Sequence, residues 1–270
     1  MLTLNRQNSL QTVLTQRPLG LVFDIDGTLS QIAPTPGQAK LHPEVRSLLE
    51  SAKKYARIAI MTGRAIEDGA EMVGVDGLTY IGTHGVEWSD GLPSTHAVQI
   101  VPEAVAYIEP GTHLLDLAEE ELSDIPGLII ECKPVGGSIH CRLCPDPEQA
   151  RRKIRALLEE PAKEVNMRLS DGKHVIDIKA PLAANKGRAL RRFVQRFGLR
   201  GVVFAGDDRT DLDAIAEIAR LREEGIAALA VAVQHSDSLP ELLERADLKV
   251  QGVDGMVRLL REIVELLKAK

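Results

Sequence analysis

The sequence is poor in aromatic residues, cysteine and positive charge, and each shortage argues against a class of function. Aromatic residues make up only 3% of the 270 residues, too few for a platform on which nucleic-acid bases stack. The formal net charge is −6 at pH 7, so the chain lacks the basic excess of a nucleic-acid-binding domain. Its three cysteines lack the double CxxC…CxxC spacing of a zinc site, and their odd number does not make a disulfide framework, which predicts reduced thiols.

Long apolar runs are also missing. The first 20 residues contain no apolar stretch of the kind found in a signal peptide or a membrane anchor, and they predict a tail or a short docking helix. Taken together, these shortages predict a cytoplasmic protein with neither a membrane nor a nucleic acid as its partner.

What the sequence does contain is a regular alternation of apolar runs and amphipathic helical patterns. Fully apolar strands followed by helices predict a parallel sheet that is covered by helices on both faces. The segments that predict such strands are GLVFDI, ARIAIMTG, LTYIGTHG, GVVFAGDD and ALAVAV. We therefore predict one discontinuous α/β domain, built from residues 1–87 and 183–270.

Residues 88–182 show a different pattern. LIIECK and GSIHCRLC alternate with a period of two around PVGG, which predicts an antiparallel hairpin in an α+β insert. The alternation predicts a polar face made of Glu131, Lys133, Ser138, His140 and Arg142. It predicts a buried apolar face that holds Cys132 and Cys141 as small hydrophobes. Such a polar face is either an ordinary solvated surface or a binding surface.

Polar residues follow several of the predicted parallel strands. The carboxyl ends of parallel strands meet at one edge of a sheet, so these side chains should share one crevice. They are Asp24, Asp26, Thr62, Gly63, Arg64, Asp207, Asp208 and Asp211, and Lys186 begins a nearby helix. Clustered carboxylates suit Mg²⁺, and lysine, hydroxyl and amide groups suit a phosphate. The combination indicates phosphoryl transfer through an aspartyl-phosphate, whereas the simplest alternative is that the two acids of DIDG cap a turn.

In order along the chain, DIDGT, TGR, the lysine of NKG and GDDRTD resemble the four motifs of the haloacid-dehalogenase superfamily. The resemblance implies a Rossmann-like core in which Asp24 is the nucleophile and Asp26 the general acid and base. It implies that Thr62 and Lys186 hold the transferring phosphoryl group. The implied ligands of Mg²⁺ are Asp24, Asp26 and Asp207, with Asp208 and Asp211 in support. An acid at position 26 implies hydrolysis, since the ion pumps of the superfamily carry threonine there.

Motif spacing places the cap domain of this superfamily. Only 38 positions separate Asp24 from Thr62, and one helix and one strand fill them. Because 124 positions separate Thr62 from Lys186, the lid must be the insert at residues 88–182. This is the type-2 cap arrangement, which implies a small substrate that is shielded from water during the reaction.

The insert and the loop that leads into it resemble trehalose-6-phosphate phosphatases in particular. ECKPVGGSIHCR is similar to their cap motif E-x-K…S-x-H-x-R, and GTHGVEW is similar to their G-x-H-G-x-E loop. The resemblance implies Mg²⁺-dependent hydrolysis of trehalose 6-phosphate and functional coupling to a sugar-phosphate synthase. The implied substrate-binding residues are Gly63, Arg64, His84, Glu131, Lys133, Ser138, His140 and Arg142. His84 is either such a contact or part of a hinge.

One position departs from the family pattern. The family continues its last motif as GDDxTDE, but Leu212 replaces the final glutamate here. Other sugar phosphates therefore stay open as substrates, namely sucrose phosphate, mannosylglycerate phosphate and glucosylglycerol phosphate. A sugar-phosphate sensor without catalytic activity is the alternative from another functional class.

Overall fold

The computed structural model describes residues 9–33, 35–172 and 174–269. These residues divide into two compact units, the first within Met1–Gln99 and Ala184–Lys270, the second within Ile100–Ala183. No helix among the described residues has both the length and the apolar character that crossing a bilayer requires.

The strands of the described residues alternate with helices at both ends of the chain. In chain order the strands are β1 (Leu19–Phe23), β2 (Arg57–Met61), β3 (Thr79–Gly82), β4 (Glu87–Ser89), β5 (Gln99–Ile100), β6 (Ile129–Cys132), β7 (Gly137–His140), β8 (Arg168–Gly172), β9 (Val175–Lys179), β10 (Gly201–Gly206), β11 (Ala227–Gln234) and β12 (Leu248–Gln251). After a helical segment at residues 9–14, the helices are α1 (Val45–Ala52), α2 (Ile66–Val73), α3 (Ile108–Leu122), α4 (Pro147–Glu164), α5 (Lys186–Arg196), α6 (Asp211–Glu223), α7 (Pro240–Arg245) and α8 (Gly252–Lys268).

An eight-stranded sheet forms the centre of the first unit, in the order β12-β11-β10-β1-β2-β3-β4-β5. The six strands from β12 to β3 are parallel to their neighbours. Every residue of β1 and β10 is buried, so neither strand has a solvent-facing side. That burial explains why both strands are continuous apolar runs, and it confirms the predicted α/β class.

The N-terminal segment docks onto this sheet domain. Residues 9–14 are helical and bury Leu10, Val13 and Leu14 in the apolar core of the first unit. This agrees with a docking helix at these positions, whereas residues 1–8 of the predicted tail lie outside the described residues.

The first boundary between the two units differs from the predicted one. We expected it after residue 87, but the structure divides between Gln99 and Ile100. The reason is that β4 pairs antiparallel with β3 and so continues the large sheet. Trp88 is buried there, and its Nε1 donates a hydrogen bond to the carbonyl of Gly85 at 3.0 Å.

The second unit is a four-stranded antiparallel sheet in the order β6-β7-β9-β8, packed against α3 and α4. Ile139, Ile176 and Ile178 point into this core, which explains the period-two alternation of β7 and β9.

Two details of the predicted hairpin are wrong. The ladder ends where His140 pairs with Val175, so Arg142 and Leu143 follow β7 in an exposed loop and do not extend its two faces. Cys141 is buried as expected, but Cys132 is exposed at the end of the edge strand β6. An edge strand has a neighbour on one side only, so alternation does not guarantee burial at its end.

Candidate active site

A buried lysine joins two of the three strand-end motifs. Lys186 begins α5, whose first turn is fixed by the Asn185 side chain, which accepts a hydrogen bond from the amide of Arg188 at 2.9 Å. The ammonium group of Lys186 donates to Oδ1 of Asp24 and to Oδ1 of Asp211, each at 2.7 Å. All three side chains are buried, so the contacts are charge-assisted hydrogen bonds away from water.

Asp211 organises the loop that follows β10. Its Oδ2 accepts hydrogen bonds from the backbone amides of Asp207 and Asp208, both at 2.9 Å. Because Oδ1 already receives Lys186, both oxygens of this carboxylate have donors from within the protein. Asp211 therefore acts mainly as a positioning residue that presents Asp207 and Lys186 to the crevice.

Asp24, Asp207 and Asp211 can each offer one carboxylate oxygen within 4.8 Å of the other two. Burial, opposed by Lys186, raises the pKa of Asp24 to about 7. Burial, together with the nearby Asp24 and Asp211, raises the pKa of Asp207 to about 9. Burial alone would lower the pKa of Lys186, but Asp211 and Asp24 raise it above its ordinary value. One lysine thus leaves the cluster short of positive charge, and an all-oxygen donor set fits a divalent cation such as Mg²⁺.

The second acid of DIDG is held differently. Arg64 grips the carboxylate of Asp26 with two hydrogen bonds, from Nε to Oδ2 at 2.7 Å and from Nη2 to Oδ1 at 2.6 Å. Asp26 is also within 3.4 Å of the Ser30 hydroxyl, which donates to Oδ1. The TGR motif therefore contacts the DIDGT motif through a planar fork, a geometry that lysine could not reproduce.

The structure places Thr62, Gly63 and His84 side by side. Thr62 is buried, and its hydroxyl accepts a hydrogen bond from the amide of Arg64 at 3.1 Å. The amide of His84 donates to the carbonyl of Thr62 at 2.9 Å. A Cβ at Gly63 would lie 2.5 Å from the ring of His84, so only glycine allows the ring to approach this loop.

Two residues beside Asp207, His235 and Thr28, were not anticipated from the sequence. Nε2 of His235 lies 2.7 Å from the carbonyl oxygen of Gly27 and 3.8 Å from Oδ2 of Asp207. The hydroxyl of Thr28 donates to Oδ1 of Asp207 at 3.4 Å. His235 follows β11, so the rule that polar residues after parallel strands converge could have found it.

The polar face of the second unit is a connected network. Lys133 donates to the hydroxyl of Ser138 at 2.9 Å, and that hydroxyl donates to Oδ1 of Asp177 at 2.7 Å. On the same hairpin, Nε2 of His140 lies 3.0 Å from Oε2 of Glu131. Burial would raise the pKa of Asp177, but hydrogen bonds from Lys179 and Ser138 and the charge of Lys133 hold it below its ordinary value.

Comparison with known proteins decides the family. The family model described as trehalose-phosphatase matches residues 22–243, which is most of the chain. The chain belongs to the trehalose-phosphatase family. Within this family it is 29% identical over 238 residues to the trehalose-phosphate phosphatase of Mycobacterium leprae (strain TN), covering 83% of this chain and 52% of that protein. It thus spans about half the length of the mycobacterial relatives that it matches.

A plant relative and a solved structure show similarity to the same kind of protein. The chain is 30% identical over 267 residues to probable trehalose-phosphate phosphatase 3 of Oryza sativa subsp. japonica, covering 87% of this chain and 71% of that protein. A crystal structure of a trehalose-6-phosphate phosphatase related protein matches with a TM-score of 0.76 at 24% identity, covering 93% of this chain and all of the other. The fold is that of the haloacid-dehalogenase superfamily.

The trehalose-phosphatase motifs converge on two networks, one in each unit. In the first unit, Lys186 joins the motifs of Asp24 and Asp211, and Arg64 joins the TGR motif to Asp26. Asp208 is exposed and contributes only its backbone amide to the contacts described above. In the second unit, a contact of 3.6 Å between Lys133 and Glu131 joins the pairs Lys133–Ser138 and His140–Glu131 into one network, and Arg142 lies in the loop after β7. Asp177 was missed: the alternation of HVIDIK indicates that it lies on the polar face of its strand, and the pairing of β9 with β7 places it opposite Ser138.

Proposed function

We propose that the protein is a Mg²⁺-dependent phosphatase that hydrolyses trehalose 6-phosphate to trehalose and phosphate. The observation that carries the proposal is the buried lysine held between Asp24 and Asp211, in a carboxylate cluster that needs a cation. With that cation bound, such a centre would attract a phosphate dianion and offer it a carboxylate nucleophile. Membership of the trehalose-phosphatase family supports trehalose as the sugar of the proposed substrate. The polar network of the second unit has groups that could bind the hydroxyls of this sugar.

In the proposed reaction, an oxygen of Asp24 attacks phosphorus, and the bond between phosphorus and the sugar oxygen breaks. Asp26 gives its proton to the departing sugar oxygen. Asp26 then takes a proton from water, whose oxygen attacks the phosphoryl group, so that phosphate leaves and Asp24 is regenerated. A bound Mg²⁺, held by Asp24, Asp207 and the Asp26 carbonyl, would offset the phosphate charge.

Arg64 adds a condition to this scheme. In the structure it donates to both oxygens of Asp26, so no oxygen of that carboxylate is free of the guanidinium. Opening of one of these bonds would free an oxygen of Asp26 to carry the proton that goes to the leaving group. A substrate phosphate would compete with Asp26 for the guanidinium, which supports the assignment of Arg64 to substrate binding.

Phosphate release from a panel of sugar phosphates tests the substrate. The panel contains trehalose 6-phosphate with sucrose, mannosylglycerate and glucosylglycerol phosphates, each measured by kcat/KM with Mg²⁺. We expect trehalose 6-phosphate to have the highest kcat/KM of the panel. A higher kcat/KM for another sugar phosphate would make that compound the substrate in place of trehalose 6-phosphate. If none of the sugar phosphates were hydrolysed, the result would favour a sensor without catalytic activity. A cytoplasmic location and coupling to a synthase belong to the same proposal.

The metal requirement gives a first prediction. We expect phosphate release to stop in excess EDTA and to return with Mg²⁺, because Asp24 and Asp207 would otherwise repel the phosphate dianion. Calcium should not replace magnesium, since its larger and looser coordination misplaces the nucleophile. Full activity in the chelator would contradict the metal assignment.

The same cluster predicts how pH affects the metal-free protein. The folded-state pKa values of Asp24 and Asp207, about 7 and about 9, lie above those of an unfolded chain. Stability that is present below about pH 4 should therefore decline as pH rises toward about 9. Mg²⁺ should raise the unfolding temperature more at about pH 9 than at about pH 5. An equal Mg²⁺ effect at both pH values would argue against these carboxylates as ligands.

The polar network of the second unit gives a further prediction. Lys133→Ala and Asp177→Asn should lower kcat/KM for trehalose 6-phosphate by roughly tenfold to a thousandfold, about 1.4–4 kcal/mol, if they bind the sugar. Hydrolysis of p-nitrophenyl phosphate, which has no sugar, should change by less than about threefold. Lys153→Ala, an exposed lysine on α4, is the matched control and should leave both substrates unaffected.

The ratio of the two losses is the diagnostic quantity. Equal losses with both substrates would indicate a general defect in folding or phosphate binding. If neither substrate were affected, the polar face would be an ordinary solvated surface.

A further inference from the structure

The edge of the large sheet opposite the carboxylate cluster also contains a cavity. It has a volume of about 560 Å³ and lies where β1, β2 and β3 begin, lined by Leu19, Ile58 and Leu78 among others. Asp24 follows the last residue of β1, so the cavity is separated from the carboxylate cluster by about 17 Å, the length of a five-residue strand. Its volume is within the range of about 300–1,000 Å³ that is typical of small-molecule sites.

The cavity is lined by an unusual concentration of positive charge. Four of its residues are basic, namely Arg17, Lys53, Lys54 and Arg57. Lys53 has a partner in Glu50, at 2.7 Å. Within the described parts of the chain, Arg17, Lys54 and Arg57 have no carboxylate partner. Arg17 donates hydrogen bonds to the carbonyls of Leu14 and Gln16, and the guanidinium of Arg57 lies 5.2 Å from the ring centre of Phe197. The chain as a whole has a net charge of −6, so three such cations around one cavity stand out. A bound anion would neutralise their charge.

The lining also has an aromatic part. Tyr55 and Phe197 both contribute to it, and Tyr55 is 38% exposed. The acidic residue of the lining, Asp90, is engaged by Arg196 and by the hydroxyl of Thr79, so its charge is compensated within the protein. A ligand that uses the whole lining therefore combines negative charge with an apolar or aromatic body.

We propose that this cavity binds a small organic phosphate, whose phosphate groups contact Arg17, Lys54 and Arg57 and whose aromatic body lies against Tyr55 and Phe197. Arginine and lysine are the side chains that bind phosphate oxygens most readily, and aromatic side chains supply contact area for a flat ring. The site is distinct from the carboxylate cluster, because it is built from the amino ends of the strands and contains no residue assigned to catalysis.

Calorimetric titration of the full chain with ATP, pyrophosphate and adenosine tests the proposal. The titrations are done in EDTA, where the carboxylate cluster lacks its cation and repels anions. We expect ATP to bind, and pyrophosphate and adenosine each to bind at least about tenfold more weakly, because each offers only half of the interaction. Absence of ATP binding at millimolar concentration would overturn the proposal, as would equal affinity for ATP and pyrophosphate.

Substitutions then locate the site. Lys54→Gln with Arg57→Gln should weaken ATP binding by roughly tenfold to a hundredfold, the usual loss for charge-assisted contacts. Lys249→Gln removes an exposed lysine on β12, at the far edge of the sheet, and should leave ATP binding unchanged. Phosphatase kcat/KM should be unaffected in both proteins. Unchanged ATP affinity in the double variant would overturn the assignment, and the single variant Lys54→Gln provides the same test if the double variant does not fold.

Discussion

Asp24→Asn is expected to lower the turnover number by roughly 10⁴-fold or more, because an amide oxygen cannot attack phosphorus and form the covalent intermediate. The amide oxygen can still accept the hydrogen bond that Lys186 donates at 2.7 Å, so the packing of the cluster should survive. Steady-state phosphate release with trehalose 6-phosphate measures the loss. Circular dichroism and the unfolding temperature check that the fold is retained.

Asp26→Asn is the informative companion to this variant. It should also lose most activity on a sugar phosphate, whose leaving oxygen needs a proton, but it keeps the nucleophile. With an aryl phosphate, a good leaving group, the phosphorylated enzyme should still form and accumulate. Turnover by purified Asp24→Asn within about tenfold of wild type would rule out the aspartyl-phosphate mechanism.

Lys186→Met is expected to destabilise the fold by about 3–5 kcal/mol as well as to abolish activity. Lys186 is 2% exposed and contacts Asp24 and Asp211, so methionine leaves two buried carboxylates without a cation. Removing one partner of a buried ion pair typically costs this much, because the remaining charge stays buried without compensation. Denaturant unfolding without added metal measures the change, and kcat with Mg²⁺ measures the catalytic loss.

A double variant separates the two effects. Lys186→Met with Asp211→Asn removes one of the two buried carboxylates that Lys186→Met leaves without a cation, so part of the lost stability should return. Activity should stay low, because the phosphoryl group still lacks its lysine. Lys249→Met, on the exposed face of β12, is the control and should shift stability by less than about 0.5 kcal/mol. Wild-type stability of Lys186→Met would show that the ion pairs contribute little.

The class of the fold and most of the residues around the carboxylate cluster follow from the sequence alone. Fully buried parallel strands must be apolar throughout, so β1 and β10 stand out in the sequence, and polar residues directly after them must lie at one edge of the sheet. Motif order and the long interval before Lys186 likewise limited where an inserted unit could be. Apolar runs, motif order and the spacing between motifs can be read from the sequence without knowing which strands are neighbours in the sheet.

The contacts between individual side chains, in contrast, depend on the tertiary structure. Lys186 and Asp24 are 162 positions apart, and they meet because β10 lies next to β1, an order that alternation does not specify. The fork of Arg64 on Asp26 and the approach of His235 to Gly27 depend on the same strand order. Asp177 joined the second network because β9 pairs with β7, and Cys132 is exposed because β6 is an edge strand. Periodicity gives the face on which a side chain lies, whereas its neighbours follow from strand pairing, which depends on packing of the whole chain.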